Sequence, residues 1–179
     1  EVDTGAVELS GASISDKPQC TVTSSPHSKG HGTSVASVLV SSAYGIAPEA
    51  TLLTYRTAST EDGDQAASDC QVGSQLDKHK YAWLLNAAMN DGAQIINLSA
   101  SSHSHSDELK WTIARSMSQG AIITAAVGND AQDDNDAALS KWSGVVGVSA
   151  IGVDSARQDY SSWGQGVTVA AIGGPLSVH

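Results

Sequence analysis

Basic residues are scarce in this sequence: nine Lys and Arg stand against nineteen Asp and Glu among 179 residues, a formal charge of −10. Such a surface offers no electrostatic footprint for a phosphate backbone, which excludes the nucleic-acid binders that depend on one. No apolar run reaches the roughly 20 residues of a membrane helix, so no span is expected. The opening Glu1-Val2-Asp3 has neither the basic start nor the apolar stretch of a secretory signal, and the sequence reads as the interior of a longer polypeptide. Cysteine is nearly absent. Cys20 and Cys70 form no C-x-x-C and are too few for a four-thiolate zinc site. If they pair, the bridge closes a loop of about 50 residues, worth roughly 4 kcal/mol by chain entropy. The alternative is two unrelated thiols in a reducing compartment. Also absent are G-x-G-x-x-G, G-x-x-x-x-G-K-[ST] and H-E-x-x-H, so the nucleotide-binding and zinc-helix classes lose their signatures.

What is present is a core-forming chain: 40% of residues are hydrophobic, only 16% are charged, and small polar residues supply the rest. Abundant Ser and Gly with little Lys lean towards a secreted or extracytoplasmic protein. Ser34–Ala43 reads as a buried helix after Gly30-His31-Gly32, Gly45-Ile46-Ala47-Pro48 as a turn, and Thr51–Thr57 as a strand. The acidic stretch from Ser59 to Gln71 reads as a surface loop. Lys80–Asn90 has helical spacing, with Tyr81, Leu84, Leu85 and Ala88 on one face and Gly92 as its cap. Gln94–Ser99 is a short β-branched run expected to be a buried strand.

The same order then recurs. Ser106 is the expected N-cap of a helix with Asp107 and Glu108 in its positive first turn, Leu109, Ile113 and Met117 on one face, and Gly120 at its end. Ala121–Val127, Val145–Ile151 and Val167–Ile172 read as further strands. Unbroken apolar strands alternating with helices argue a three-layer α/β/α architecture with a mostly parallel sheet. No repeat, low-complexity tract or linker divides the chain, so one domain over residues 1–179 is expected. In such sheets working residues sit on loops past the carboxyl ends of strands. Asp3 follows what remains of a strand, Ser99-Ala100-Ser101-Ser102 and Gly128-Asn129 follow two others, and His31 heads a helix.

Five short motifs fall in one order. Asp3-Thr4-Gly5 is followed 28 residues on by His31-Gly32-Thr33-Ser34-Val35-Ala36. Then come Gly45-Ile46-Ala47-Pro48, Ile95-Ile96-Asn97-Leu98-Ser99, and Ala125-Ala126-Val127-Gly128-Asn129. This order resembles the subtilisin-like serine proteases, the subtilases of peptidase family S8. Tyr160-Ser161-Ser162-Trp163-Gly164 and Val167–Gly173 are similar to the strands that precede the family's nucleophile. The resemblance implies a serine endopeptidase with Asp3 and His31 as two members of an Asp-His-Ser triad and Asn129 as the oxyanion donor. An imidazole can take the proton of a serine hydroxyl near neutral pH, and the acid orients the ring and stabilises the imidazolium. Ser99, Ala100, Ser101, Ala126, Val127 and Gly128 would line the pocket for the residue before the scissile bond.

The sequence also departs from the family pattern. Ser101 and Ser102 stand where glycines are usual and would narrow the pocket mouth; Ser37 and Ala171-Ile172-Gly173 are milder changes. The family's Gly-Thr-Ser is absent, so the resemblance implies a catalytic domain lacking its nucleophile-bearing part, cut short at both ends, with the serine beyond His179. Ser177 lacks the glycine-bounded turn into a helix. A second polypeptide completing the fold, or an inactive relative that binds extended peptides, are the alternatives. The expected partner is a peptide or protein substrate, and no cofactor is required. Calcium, a structural ion of the family, is weighed for the acidic runs Glu61–Asp69 and Asp130–Asp136, which otherwise read as solvated loops; the second lacks the glycine and terminal glutamate of an EF-hand. His103 and His105, and His27 with His31, are spaced for metal but read as unliganded. Asn97-Leu98-Ser99 is a glycosylation sequon expected to be buried and unused. A single Asp-Thr-Gly in an α/β pattern argues against an aspartic protease, which needs two carboxylates sharing a proton.

Overall fold

The computed structural model describes residues 1–17, 26–56, 71–72, 75–76, 80–100, 106–133 and 139–174. These fall into two compact units, one within Glu1–Lys80 and one within Tyr81–Pro175. Both are of the α/β class, with parallel strands and intervening helices. Cys20, Cys70, Ser101, Ser102, His103, His105 and Ser177 lie outside the described residues, as does nearly all of the acidic loop from Ser59 to Gln71.

In the first unit a 3-10 turn at Val7–Leu9 leads to β1 (Ile14–Lys17), α1 (Pro26–Val40) and β2 (Leu52–Tyr55). β1 and β2 pair in parallel, with Ile14 opposite Leu52 and Asp16 opposite Thr54. Leu9, Ala36 and Val40 form the buried cluster, and Val2, Ala12, Ile14, Leu39 and Leu52 pack around it. Gln71–Val72 (β3) and Gln75–Leu76 (β4) form a short antiparallel pair, so Gln71 is strand rather than the end of a loop. Glu1-Val2 has no strand partner among the described residues.

Helix α1 begins well before the expected Ser34 and contains Gly30-His31-Gly32 instead of following it. Each glycine costs a helix interior about 1 kcal/mol relative to alanine, which is why the sequence pattern argues against helix here. Side-chain hydroxyls return to the backbone along this stretch: Thr33 donates to the Lys29 carbonyl at 2.7 Å, Ser34 to Gly30 at 2.9 Å, and Ser37 to Ser34 at 2.8 Å. With its hydroxyl thus satisfied, Ser37 is buried to 1% exposure. Past the helix, Ile46 N–H donates to the Val38 carbonyl and Ala47 N–H to that of Leu39, filling acceptors the last turn leaves open. That return requires glycine at 45, where a Cβ would stand 2.4 Å from the Ser41 nitrogen.

The second unit contains α2 (Lys80–Asn90), β5 (Ile95–Leu98), α3 (Asp107–Ser118), β6 (Ile122–Ala126), β7 (Val146–Ile151) and β8 (Val169–Ile172). Among the described residues the four strands form one parallel sheet in the order β5-β6-β7-β8. The caps follow the sequence: Ser106 Oγ accepts from Leu109 N–H at 3.2 Å, and Gly92 and Gly120 take φ of +83° and +91° after their helices. Leu84, Leu85 and Ala88 on α2, Leu109 and Ile113 on α3, and Ile96, Ile123, Ala125 and Val127 on the strands are buried.

The strands differ from expectation in one respect. β5 was expected to be buried throughout, yet only Ile96 is; its neighbour Ile95 is 67% exposed and pairs with Ile122, 54% exposed. An unbroken apolar run carries no period-two signal and so does not reveal which face is covered. Asn97 is likewise exposed, not buried, with its Oδ1 accepting from Thr124 and its Nδ2 donating to Ser99.

Asp16 on β1 accepts from Thr54 at 2.8 Å and from the Arg56 guanidinium at 2.6 Å. Burial alone would push its pKa up, but the Thr54 and Arg56 hydrogen bonds and the Arg56 charge together hold it below the ordinary carboxylate value. A depressed native pKa contributes stability above the unfolded value, near pH 4, and that contribution is lost as pH falls through the native one. Asp16→Asn should therefore lower the urea midpoint at pH 6, with the difference from wild type shrinking as pH drops below about 4. A constant difference across that range would show that the ionised carboxylate is not what stabilises the pair.

Candidate active site

In the first unit the candidate acid and base are tied to each other through the backbone. Asp3 N–H donates to Thr33 Oγ1 at 2.9 Å, and that hydroxyl in turn donates a hydrogen bond to the Lys29 carbonyl. The turn carrying Asp3 is thereby fixed to α1 two residues beyond His31. Asp3 Oδ1 accepts from Gly5 N–H at 3.1 Å, and the Asp3 carbonyl accepts from Ala6 N–H at 3.1 Å, closing a tight Asx-type turn. Both Asp3 and His31 are exposed. Gly32 explains the Gly-His-Gly pattern: a Cβ there would lie 1.8 Å from the Glu1 carbonyl oxygen and 2.6 Å from its carbon. The chain leading into Asp3 therefore runs against the helix at the residue after His31, where no side chain fits.

In the second unit Asn129 stands on the loop after β6, the position where parallel sheets present functional groups. Ala126 ends β6 half-buried, Val127 is buried, and Gly128 is buried with φ +113°, a conformation open to glycine. Asn129 itself is exposed. Ala131, with φ +50°, adds a left-handed residue that is not glycine. Ser99, exposed, and Ala100, half-buried, follow β5. Asp3 and His31 thus belong to one unit and Ser99, Ala100, Ala126, Val127, Gly128 and Asn129 to the other.

Two features of the site carried no signal of their own in the sequence. Thr33 lay inside a recognised motif without a role, and the segment Tyr160–Trp163 was visible only as a family-like stretch. That segment holds the Asn129 loop through four backbone-directed hydrogen bonds: Ala131 N–H to Tyr160 O, Ser162 N–H to Gly128 O, Trp163 N–H to Gln132 O, and Asp130 N–H to Ser162 Oγ. Among the described residues no group of three or more His, Cys, Asp or Glu is placed to hold a metal ion, and no helix is long and apolar enough to cross a membrane.

Comparison with known proteins gives this arrangement its class. The chain is 26% identical over 175 residues to subtilisin-like protease 1 of Trichophyton rubrum, covering 96% of this chain and 33% of the relative. It is 24% identical over 154 residues to subtilisin amylosacchariticus of Bacillus subtilis subsp. amylosacchariticus, covering 80% of this chain and 36% of the relative. Among solved structures, the prenylagaramide maturation protease PagA superposes with a TM-score of 0.74 at 24% identity, over 97% of this chain and 60% of that one. A cold-adapted subtilisin-like serine proteinase gives 0.71 at 19% identity, over 96% and 59%. These likenesses define a subtilisin-like serine protease fold, three-layered α/β/α with a parallel sheet. The chain belongs to the subtilase family, whose model matches residues 10–178. It spans between about a third and three-fifths of the relatives named here.

The contact at Gly32 gives a direct test. Gly32→Ala places a methyl against backbone that cannot rotate aside, and overpacking of this kind costs about 1–3 kcal/mol or more. A urea melt should show that loss, whereas Gly30→Ala, with open space at its Cβ, should be neutral or stabilising. Equal behaviour of the two variants would contradict the close approach.

Proposed function

We propose that this chain is the larger part of a serine endopeptidase catalytic domain, with the nucleophile supplied by a Gly-Thr-Ser segment outside residues 1–179. The observation that carries the reading is the Asp3 N–H to Thr33 hydroxyl bond, which holds an acid-bearing turn beside the helix turn that bears His31. His31 is the general base that removes the serine proton and returns it to the leaving amine. Asp3 orients the imidazole and stabilises its protonated form. Asn129 donates to the carbonyl oxygen as negative charge builds in the tetrahedral intermediate, where one such donor is worth about 10² to 10³ in kcat. The chemistry takes no cofactor, and any calcium would be a structural ion only.

Substrate would lie extended beside the segment that follows β5, pairing backbone to backbone, with Ser99, Ala100 and Ser101 on one side of the pocket and Ala126, Val127 and Gly128 on the other. The partner is a peptide or protein, and the setting is extracytoplasmic, where Cys20 and Cys70 would pair. A second reading, a catalytically inactive relative that binds extended peptides, draws on Ser101 and Ser102 at positions where the family uses glycine.

In the full-length protein a fluorophosphonate should label one serine, in a Gly-Thr-Ser peptide outside residues 1–179. Retained peptide binding with no label would select the inactive relative. His31→Ala should abolish both labelling and turnover while the melting temperature stays near wild type. Unchanged kcat would remove His31 from the triad. Asn129→Ala should lower kcat by about 10² to 10³ with little change in KM. A rise in KM alone would assign Asn129 to ground-state binding instead.

A further inference from the structure

Ser162 holds the backbone on both sides of Asn129. Its N–H donates to the Gly128 carbonyl at 3.0 Å, and its Oγ accepts from the Asp130 N–H at 3.2 Å. The peptide groups before and after Asn129 are therefore held by one side chain and its own amide. Ser162 is 0% exposed and its Gly128 partner is buried, while the bond from Asp130 is part-buried. The loop it holds includes a left-handed residue that is not glycine, Ala131 at φ +50°, two positions past the asparagine.

The holder is itself fixed. Ser161, 1% exposed, accepts from the Ala150 N–H of β7 at 3.0 Å and donates to the Ser162 carbonyl at 3.1 Å. The Arg157 guanidinium donates to the Ser161 carbonyl and stacks over the Trp163 ring, 4.4 Å from its centroid. Tyr160 accepts from Ala131 N–H through its carbonyl and donates its hydroxyl to the Gly173 carbonyl at the end of β8. Asn129 thus hangs between two rigid strands rather than at the tip of a free loop.

We infer that Ser162 is a positioning residue for the Asn129 amide, fixing the flanking peptides so that the side chain is pre-aimed at a developing oxyanion. This rests on the proposed oxyanion role of Asn129. A donor aimed in advance stabilises the transition state without reorganising, and small misplacements of such groups cost up to about 100-fold in rate. The hydroxyl is needed as an acceptor for the Asp130 N–H, which no apolar side chain of that size provides.

The test is a double-mutant cycle in the full-length protease, reading kcat, KM and melting temperature for wild type, Ser162→Ala, Asn129→Ala and the double variant. Ser162→Ala should lower kcat by about 10- to 100-fold with KM unchanged. On the Asn129→Ala background the same substitution should change kcat by no more than about twofold, because nothing remains to be aimed. An equal loss on both backgrounds, or no loss in either, overturns the positioning role while leaving Asn129 as oxyanion donor. An Asn129→Ala form with wild-type kcat instead overturns the oxyanion reading and the positioning role with it. Should Ser162→Ala fail to fold, Ser162→Cys, which keeps the volume and a weak acceptor, runs the same cycle. Failure of both to fold makes Ser162 a folding residue and overturns the assignment.

Discussion

The approach of the Glu1–Asp3 segment to α1 is the constraint on which the first unit depends. A carbonyl lies where any side chain at position 32 would have to be, and the Thr33 hydroxyl takes the Asp3 N–H one residue further on. Two demands meet at that crossing. The backbones must touch, which requires Gly32, and the part-buried Asp3 amide must find an acceptor, which Thr33 supplies. The helix accepts a glycine it would otherwise disfavour because contacts outside the helix fix it. The position of His31 along α1 then follows from where that crossing falls.

The second unit solves a similar problem with different means. A loop that carries one functional amide needs an unusual backbone path, and Gly128 and Ala131 provide it at a conformational cost. The segment Tyr160–Trp163 offsets that cost with hydrogen bonds made in the interior. It draws its own rigidity from β7 and from the end of β8. Catalytic candidates in both units are thus exposed side chains on backbones that are fixed by buried neighbours, an arrangement that separates chemistry from flexibility.

Helices α2 and α3 were legible residue by residue, since each has an apolar stripe of helical period and a cap whose chemistry is local. The candidate residues Asp3, His31 and Asn129 are named by their motifs; Asn129 stands on the loop after a strand as expected, whereas His31 lies inside α1 instead of at its head and no paired strand precedes Asp3 among the described residues. Helix α1 was read too short because its glycines speak locally against helix, while the partner that stabilises them lies about 30 residues away in sequence. The strands were found at nearly the right places but with the wrong burial, because Ile95-Ile96 looks the same from both faces of a sheet. Ser162 could not be read at all. Its role arises from contacts with residues 32 and 34 positions earlier in the chain, and nothing in a Tyr-Ser-Ser-Trp string announces them.

The exposed pair Ile95 and Ile122, in register on β5 and β6, bears on the colloidal behaviour of the molecule. These β-branched side chains lie exposed on a pleated surface, which is an adhesive patch for any similar surface it meets. A net charge of −10 opposes that meeting by mutual repulsion between copies. Repulsion of this kind reaches only about 8 Å at physiological ionic strength and less in stronger salt, whereas apolar attraction is not screened. Self-association through these side chains should therefore rise with ionic strength even where the fold itself is unaffected.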